Sequence, residues 1–389
     1  MELPVQQGEL HLLPLFAARI PQVLLSIGPH KSSGMASGST QESKQPSPEL
    51  PSELPYDFLK NITDDFSDKH ILGVSPFGTL YKGTVPEGGK VIAVKKLQEN
   101  APILAGKTFN TVVQNVMALK HINIVELIGF CSEAQKKLVQ FNGRYIHADI
   151  TESLLCYEYL PNGSLNQNLF GTKEGESVSS PGPCIDWGTR FKIINGICQG
   201  LCFLHNLDIP LIHMNLKPEN ILLDENMIPK IADFAMSRVF GEQQTRLCTQ
   251  KVVGSYGYMA PEYLYRGEIS AQSDIYSLGL LIIEITTREQ NCPEDNQPSA
   301  RKFIEKVRKD WTMQHIASMY GSLDAECLRQ IKACIDIGLT CVEIDRRRRP
   351  SILEIVEKLS FGSSRTSDEV SRVSSSSSKP RFTSGHKKK

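Results

Sequence analysis

The 389-residue sequence predicts an α+β fold in two lobes, a small β-rich lobe followed by a larger helical one. Two observations carry that expectation. From Ile71 to Tyr159, short runs of β-branched and apolar residues dominate. After about Trp187, apolar residues recur at helical spacing instead. Composition adds a third: at 40% hydrophobic and 22% charged, the chain can bury a core and is unlike a disordered or fibrous protein. Lys and Arg total 43, equal to Asp and Glu, so the chain lacks the basic excess of a nucleic-acid binder.

The elements follow in order. Residues 1–53 form an extension without expected stable structure, and its part from 32 to 52 is a Ser-, Gly- and Pro-rich linker. The folded unit is expected at 54–361, with the small lobe at about 66–159 and the large lobe at about 160–361. Strand-like runs fall at Thr79–Gly83, Val91–Lys96, Ile124–Phe130 and Leu154–Tyr159, with one helical stretch at Phe109–Leu119. Residues 132–155 make a long connection, in which Leu138–Phe141 and Arg144–Ala148 flank the hairpin signal Asn142-Gly143. Helical periods then run through Phe191–Leu204, Asp274–Thr286, Phe303–Ser318 and Leu323–Ile344. In the last of these, Cys327, Cys334 and Cys341 share a face and read as buried small hydrophobes.

Location is read from what is missing. The apolar stretch Leu10–Leu25 is interrupted by His11, Arg19 and Pro21, and the chain begins Met1-Glu2, so neither a membrane span nor a signal peptide is expected. No cysteines form C-x-x-C pairs, which fits a reducing, cytoplasmic compartment. From Ser363 onward seven basic residues face two acidic ones among ten serines. Residues 362–389 are therefore expected to be a disordered basic tail, able at most to touch an acidic membrane surface or partner peripherally.

Chemistry enters through short motifs in a fixed order. Leu72-Gly73-Val74-Ser75-Pro76-Phe77-Gly78 lies between strand-like runs, and Val91-Ile92-Ala93-Val94-Lys95 follows. His213-Met214-Asn215-Leu216-Lys217-Pro218-Glu219-Asn220, then Asp233-Phe234-Ala235, then Ala260-Pro261-Glu262 complete the series. One degenerate glycine loop would say little, but five elements in this order resemble the protein-kinase signature set across residues 66–361. The segments ITDDFSDKHILG, YEYLPNGSL and GSYGYMAPEYLYRGEISAQSDIYSLG make the chain similar to plant receptor-like serine/threonine kinases, and to their cytoplasmic members.

That resemblance implies a bilobal kinase fold, ATP and Mg²⁺ as ligands, and a set of roles. Lys95 would meet the α- and β-phosphates of ATP. Asp233 and Asn220 would hold Mg²⁺, and Lys217 would neutralise the transferring phosphoryl group. Leu72, Gly73, Gly78 and Ala93 would line the nucleotide site. Tyr157 would guard the back of the adenine pocket, with Glu158 to Leu160 as the hinge. Asp274 would anchor the catalytic loop and Glu262 would pair with Arg349. Implied partners are ATP and another protein kinase or receptor complex.

Four departures cut against activity. Asn215 stands where an aspartate would accept the substrate's hydroxyl proton, and an amide is no base near neutral pH. Val112 stands where a glutamate would pair with Lys95; Gln114 and Asn115 lie on other bearings of that helix. Ser75 replaces the second loop glycine, and Pro76 after it has no N–H for a phosphate. Ala235 replaces the glycine after Asp233-Phe234. The expected function is a kinase-like signalling protein that binds ATP weakly and transfers phosphate poorly. The alternatives are an active serine/threonine kinase using Lys95, Asp233, Asn220 and Lys217, and a gene copy that folds poorly.

Overall fold

The computed structural model describes residues 52–86, 88–98, 108–141, 143–171, 185–239, 246–250, 252–292 and 299–360. The expected linker up to residue 51, the basic tail, Asn142 of the hairpin turn and the side chain of Val112 lie outside the described residues.

The small lobe is a six-stranded sheet. Its strands are β1 (Ser52–Glu53), β2 (Ile71–Ser75), β3 (Gly78–Thr84), β4 (Val91–Leu97), β5 (Leu127–Phe141) and β6 (Arg144–Glu158), in the order β1-β5-β6-β4-β3-β2. Neighbours pair antiparallel except β1, which runs parallel to β5. The sheet thus takes in Ser52 and Glu53, two residues ahead of the expected boundary.

Strand parity explains how β4 serves both faces of the sheet. Ile92 and Val94 point to one side, where helix α1 (Tyr56–Ile62) lays Leu59 and Ile62 against them with Cys131, Leu154 and Cys156. Ala93 and Leu97 point to the other, into a core shared with Phe109, Val113 and Val116 of α2 (Thr108–Met117). Lys95 has the parity of Ala93 and Leu97. Its side chain is thereby delivered to the cleft rather than to solvent.

Two expected strands end elsewhere. Ile124–Phe130 becomes a strand only from Leu127, because Ile124 and Val125 reach across to the large lobe: Val125 N–H donates to Ile231 O at 3.0 Å and Ile124 bridges Ile231. At the far end, Tyr159 falls outside β6. The connection between them is a continuous ribbon, β5 and β6 pairing without a break from Cys131↔Leu154 to Phe141↔Arg144.

The large lobe holds α3 (Leu165–Phe170), α4 (Trp187–His205), the short strands β7 (Leu211–Ile212), β8 (Ile221–Leu223), β9 (Pro229–Ile231), β10 (Arg238–Val239), β11 (Leu247–Cys248) and β12 (Glu268–Ile269), and helices α5 (Pro261–Arg266), α6 (Ala271–Thr287), α7 (Arg301–Asp310), α8 (Met313–Met319) and α9 (Ala325–Cys341). A last helix covers residues 352–360. Helix α6 is buried almost throughout. It crosses α9 at two glycines: a Cβ on Gly279 would lie 2.8 Å from Gly338 O, and one on Gly338 3.0 Å from Gly279 O. No larger residue allows this approach without shifting a backbone. Cys334 and Cys341 are buried on α9, and burial pushes both thiols up to about 12, so they act as apolar filler.

The single helix expected over Phe303–Ser318 is two. Trp311 leaves the helical path to bury its ring and donate Nε1–H to Glu289 Oε1 at 3.0 Å, and Thr312 then caps α8 by accepting from His315 N–H. One hydrophobic cluster runs through both lobes, from Ala93, Leu155 and Tyr157 to Leu165, Phe234 and Ile282. Among the described residues no helix is long and apolar enough to cross a membrane.

Candidate active site

Buried Asp274, in the first turn of α6, organises the loop after β7. Its carboxylate accepts His213 N–H at 2.7 Å and Met214 N–H at 2.8 Å, and meets His205 Nε2 at 2.9 Å. These bonds hold Met214 at φ +65°, a left-handed backbone that a non-glycine residue adopts only under such constraint. The His213 ring continues the chain of contacts. Its Nδ1 accepts Asn215 N–H at 3.3 Å and its Nε2 faces Ala232 O at 2.9 Å. Burial depresses its pKa, so the ring is neutral with the proton on Nε2.

Asn215 is thus fixed by its main chain, and both ends of its carboxamide are engaged. Oδ1 accepts the Ser255 hydroxyl at 3.1 Å, while Nδ2 reaches toward Asp233 Oδ2 at 3.4 Å. Asn220 turns its own Nδ2 back to Asn215 O at 2.7 Å, which leaves its Oδ1 facing outward from that anchor. Lys217 stands at the N-cap of residues 218–220, and no described residue takes its ammonium.

Across the cleft, Lys95 Nζ donates to Asp233 Oδ1 at 2.6 Å, with both side chains largely buried. Among the described residues Lys95 has no other partner. Burial works against ionising Asp233, but Lys95 outweighs it through charge and hydrogen bond, and holds the carboxyl below its ordinary value. Asp233 itself is left-handed at φ +66°, ahead of the buried turn Phe234–Met236. Helix α2 carries Val112, and its neighbour Gln114 is exposed, so Gln114 does not take the lysine.

The loop joining β2 to β3 is closed on itself. Ser75 Oγ donates to Gly78 O at 3.0 Å and accepts Phe77 N–H at 3.3 Å. Pro76 has no N–H. The two amides at the loop's tip are therefore absent or spent. Phe77 packs against hydrophobic clusters that include Phe234, Met214 and Met236. Gly78 is demanded by space, since a Cβ there would lie 2.4 Å from Lys96 O, whereas Gly73 has nothing within 4 Å and Leu72 is exposed.

At the back of the cleft, Ala93 pairs with Tyr157, which is buried and whose phenol is pushed up by burial and then by the Asp233 charge. Glu158 closes β6: Oε1 accepts Glu126 N–H at 2.8 Å and Lys230 Nζ at 2.9 Å, which ties the inter-lobe connection to both lobes. Leu160 beyond it is buried.

The protein-family description Protein kinase domain matches residues 66–361, which span this cleft from the loop to the last helix. The chain belongs to the protein kinase family. Within it, the chain is similar to plant receptor-like kinases. It is 37% identical to cysteine-rich receptor-like protein kinase 6 of Oryza sativa subsp. japonica over 300 residues, covering 76% of this chain and 40% of that protein. Over 304 residues it is 37% identical to cysteine-rich receptor-like protein kinase 8 of Arabidopsis thaliana, covering 77% and 41%. To the G-type lectin S-receptor-like serine/threonine-protein kinase SRK of Arabidopsis thaliana it is 36% identical over 316 residues, covering 78% and 34%. The chain spans between about a third and two fifths of the length of these relatives.

Two buried polar groups brace the large lobe of this kinase domain. Glu262 on α5 makes a bidentate pair with Arg349 at 2.7 and 2.8 Å, both side chains buried. The second feature was not legible in the sequence as a contact. Tyr258 OH donates to the Glu284 carboxylate, Asn291 N–H donates to Glu284 Oε1 at 2.8 Å, and Asn291 Nδ2 donates to Gly257 O at 3.0 Å. A lone glutamate inside the apolar run of α6 was the available signal.

Burial raises Glu284 to about 8, against an ordinary 4.5. A carboxyl held high binds its proton more tightly folded than unfolded. Its stabilisation is complete below about pH 4.5 and drains as pH rises to about 8. Glu284→Gln removes that term. The melting temperature of the variant should gain on the parent steadily between pH 5 and 8, and parallel curves would refute the buried-acid account.

Proposed function

We propose that this chain is a kinase-like signalling protein whose phosphotransfer is impaired and whose nucleotide binding is weak, acting through another protein kinase or a receptor complex. The observation that carries the reading is Asn215. It sits where the base should be, and its carboxamide is engaged by Ser255 and directed at Asp233. An amide cannot accept the hydroxyl proton, and loss of a placed base slows such a step by about 10²–10⁴-fold.

The residues fit the two halves of Mg·ATP unequally. Asp233 is ionised and Asn220 Oδ1 is free of its anchoring bond, so these two oxygens suit a hard cation. When bound, Mg²⁺ would neutralise charge on the phosphates. Lys217 would add a second positive charge beside the transferring group. The phosphate side fits poorly, because Ser75 occupies Phe77 N–H and Pro76 offers none. Lys95 would have to leave or share its single acid partner. The adenine side of this reading is supported by the pairing of Ala93 with Tyr157 and the burial of Leu160. The compartment in this reading is the cytoplasm, with the basic Ser-rich tail giving at most peripheral contact with an anionic surface.

The opposing reading, an active serine/threonine kinase, draws on the Lys95–Asp233 pair, because phosphoryl transfer leans chiefly on positioning and charge. One assay separates them. Incorporation of phosphate into the chain or a peptide that disappears in Lys95→Met would sink the impaired reading. The loop argument has its own test. Pro76→Ala with Ser75→Gly supplies one N–H and releases another. It should tighten Mg·ATP binding at least about tenfold, at about 1.5–3 kcal/mol per hydrogen bond to a charged group. Thermal shift against Mg·ATP concentration reads this directly, and an unchanged affinity would clear the loop of blame.

A further inference from the structure

The β5–β6 ribbon outruns the sheet that bears it. Strand β4 covers the outer edge of β6 only from Lys96↔Leu154 to Ile92↔Glu158, and β1 covers β5 only at Gly129 and Phe130. From Arg144 to Ser153, over roughly 30 Å, no other strand among the described residues pairs with the outer edge of β6. Long bare edges invite another strand, and folded proteins usually blunt them with lysine or proline. The β5 edge has Lys136 and Lys137, residues of the kind that blunts an edge. The β6 edge, Arg144-Tyr145-Ile146-His147-Ala148-Asp149-Ile150-Thr151, has neither lysine nor proline.

That edge is complementary to itself. Turned antiparallel about a two-fold axis at Ala148, it sets Ile146 opposite Ile150, His147 opposite Asp149 and Tyr145 opposite Thr151, each pair occurring twice. Arg144 comes opposite Glu152, which Lys96 and Lys137 already hold. The backbone phase agrees. If the closing pair Phe141↔Arg144 is hydrogen-bonded, as a two-residue turn requires, then Tyr145, His147, Asp149 and Thr151 aim their N–H and C=O groups outward. These are the residues that would exchange bonds in this register. One face of the ribbon carries Val139, Ile146, Ala148 and Ile150 beside Gln135 and Lys137, and a perpendicular two-fold keeps the two stripes on one side. The opposite face, with Leu138, Tyr145, His147 and Asp149, is exposed throughout.

We infer that the β6 edge is a homodimer interface, through which a second copy of this chain joins its ribbon antiparallel about Ala148 to make one continuous sheet. An isologous contact of this kind closes on two copies.

Sedimentation velocity on the full chain, over about a hundredfold range of concentration, tests it. The parent should pass from monomer to dimer and stop there. His147→Pro removes an N–H that faces outward and leaves the bonds to β5 intact, so it should keep the fold, judged by an unchanged melting curve, and abolish the dimer. Asp149→Lys should raise the dissociation constant at least about tenfold, equivalent to about 1.4 kcal/mol. The exchange His147→Asp with Asp149→Lys again sets an acid opposite a base, and should recover the dimer. A parent that stays monomeric, a dimer indifferent to His147→Pro, growth beyond two copies, or an exchange variant that stays monomeric would each overturn the inference.

Discussion

Asn215→Asp together with Val112→Glu should raise phosphate transfer to a generic peptide by about 10²–10⁴-fold over the parent chain. The two changes repair different faults. A carboxylate at 215 can still accept the Ser255 hydroxyl, and it adds the basicity that the amide lacks. It also faces Asp233 Oδ2 across the present 3.4 Å contact, so the gain depends on cations to offset two acids. A glutamate on α2 would compete for Lys95 and loosen its bond to Asp233, freeing that carboxylate for metal. Asn215→Asp alone should recover most of the rate, and Val112→Glu alone should act chiefly on Mg·ATP affinity. Rates within a few-fold of the parent in the double variant would favour the active-kinase reading if the parent already turns over.

Glu262→Ala should cost the domain about 3–5 kcal/mol, measured by urea unfolding with an unchanged slope. The side chain of Arg349 is 0% exposed and would keep its charge after losing both carboxylate bonds. Its remaining acceptors are Gln272 O, Glu343 O and Ile344 O, and its guanidinium lies 5.1 Å from the Tyr276 ring, so the loss should fall at the lower end. Replacing both partners, Glu262→Leu with Arg349→Met, should cost less than either single change, since no unpaired charge stays buried. A loss below about 1 kcal/mol for Glu262→Ala would mean that the carbonyls alone satisfy the arginine.

The sequence spoke clearly where one local rule governed a segment. A run of β-branched and apolar residues put Val91–Lys96 in a strand, which the structure extends to Leu97. Helical spacing put Phe191–Leu204 and Asp274–Thr286 in helices, which the structure extends to Trp187–His205 and Ala271–Thr287. The kinase fold followed from motif order. It misled where tertiary contacts overrode local pattern. Trp311 broke a helix because its ring had a buried site and an acceptor in Glu289, far back in the chain. Ile124 and Val125 look like strand but serve as rivets to Ile231. In the site, Ser75 was legible as a missing glycine, but its hydroxyl bonds to Phe77 N–H and Gly78 O were not. Side-chain hydrogen bonds across a turn leave no trace in spacing. Nor did anything in the sequence couple Tyr258 to Glu284.

The hydrophobic cluster that runs unbroken from Ala93 and Leu155 to Phe234 and Ile282 has a thermodynamic consequence. Two lobes that share one core have no seam along which to melt separately. Heat should therefore be absorbed in a single transition whose calorimetric and van't Hoff enthalpies agree. A single transition would mean that whatever steadies or loosens the cleft is registered by the cooperative unit as a whole.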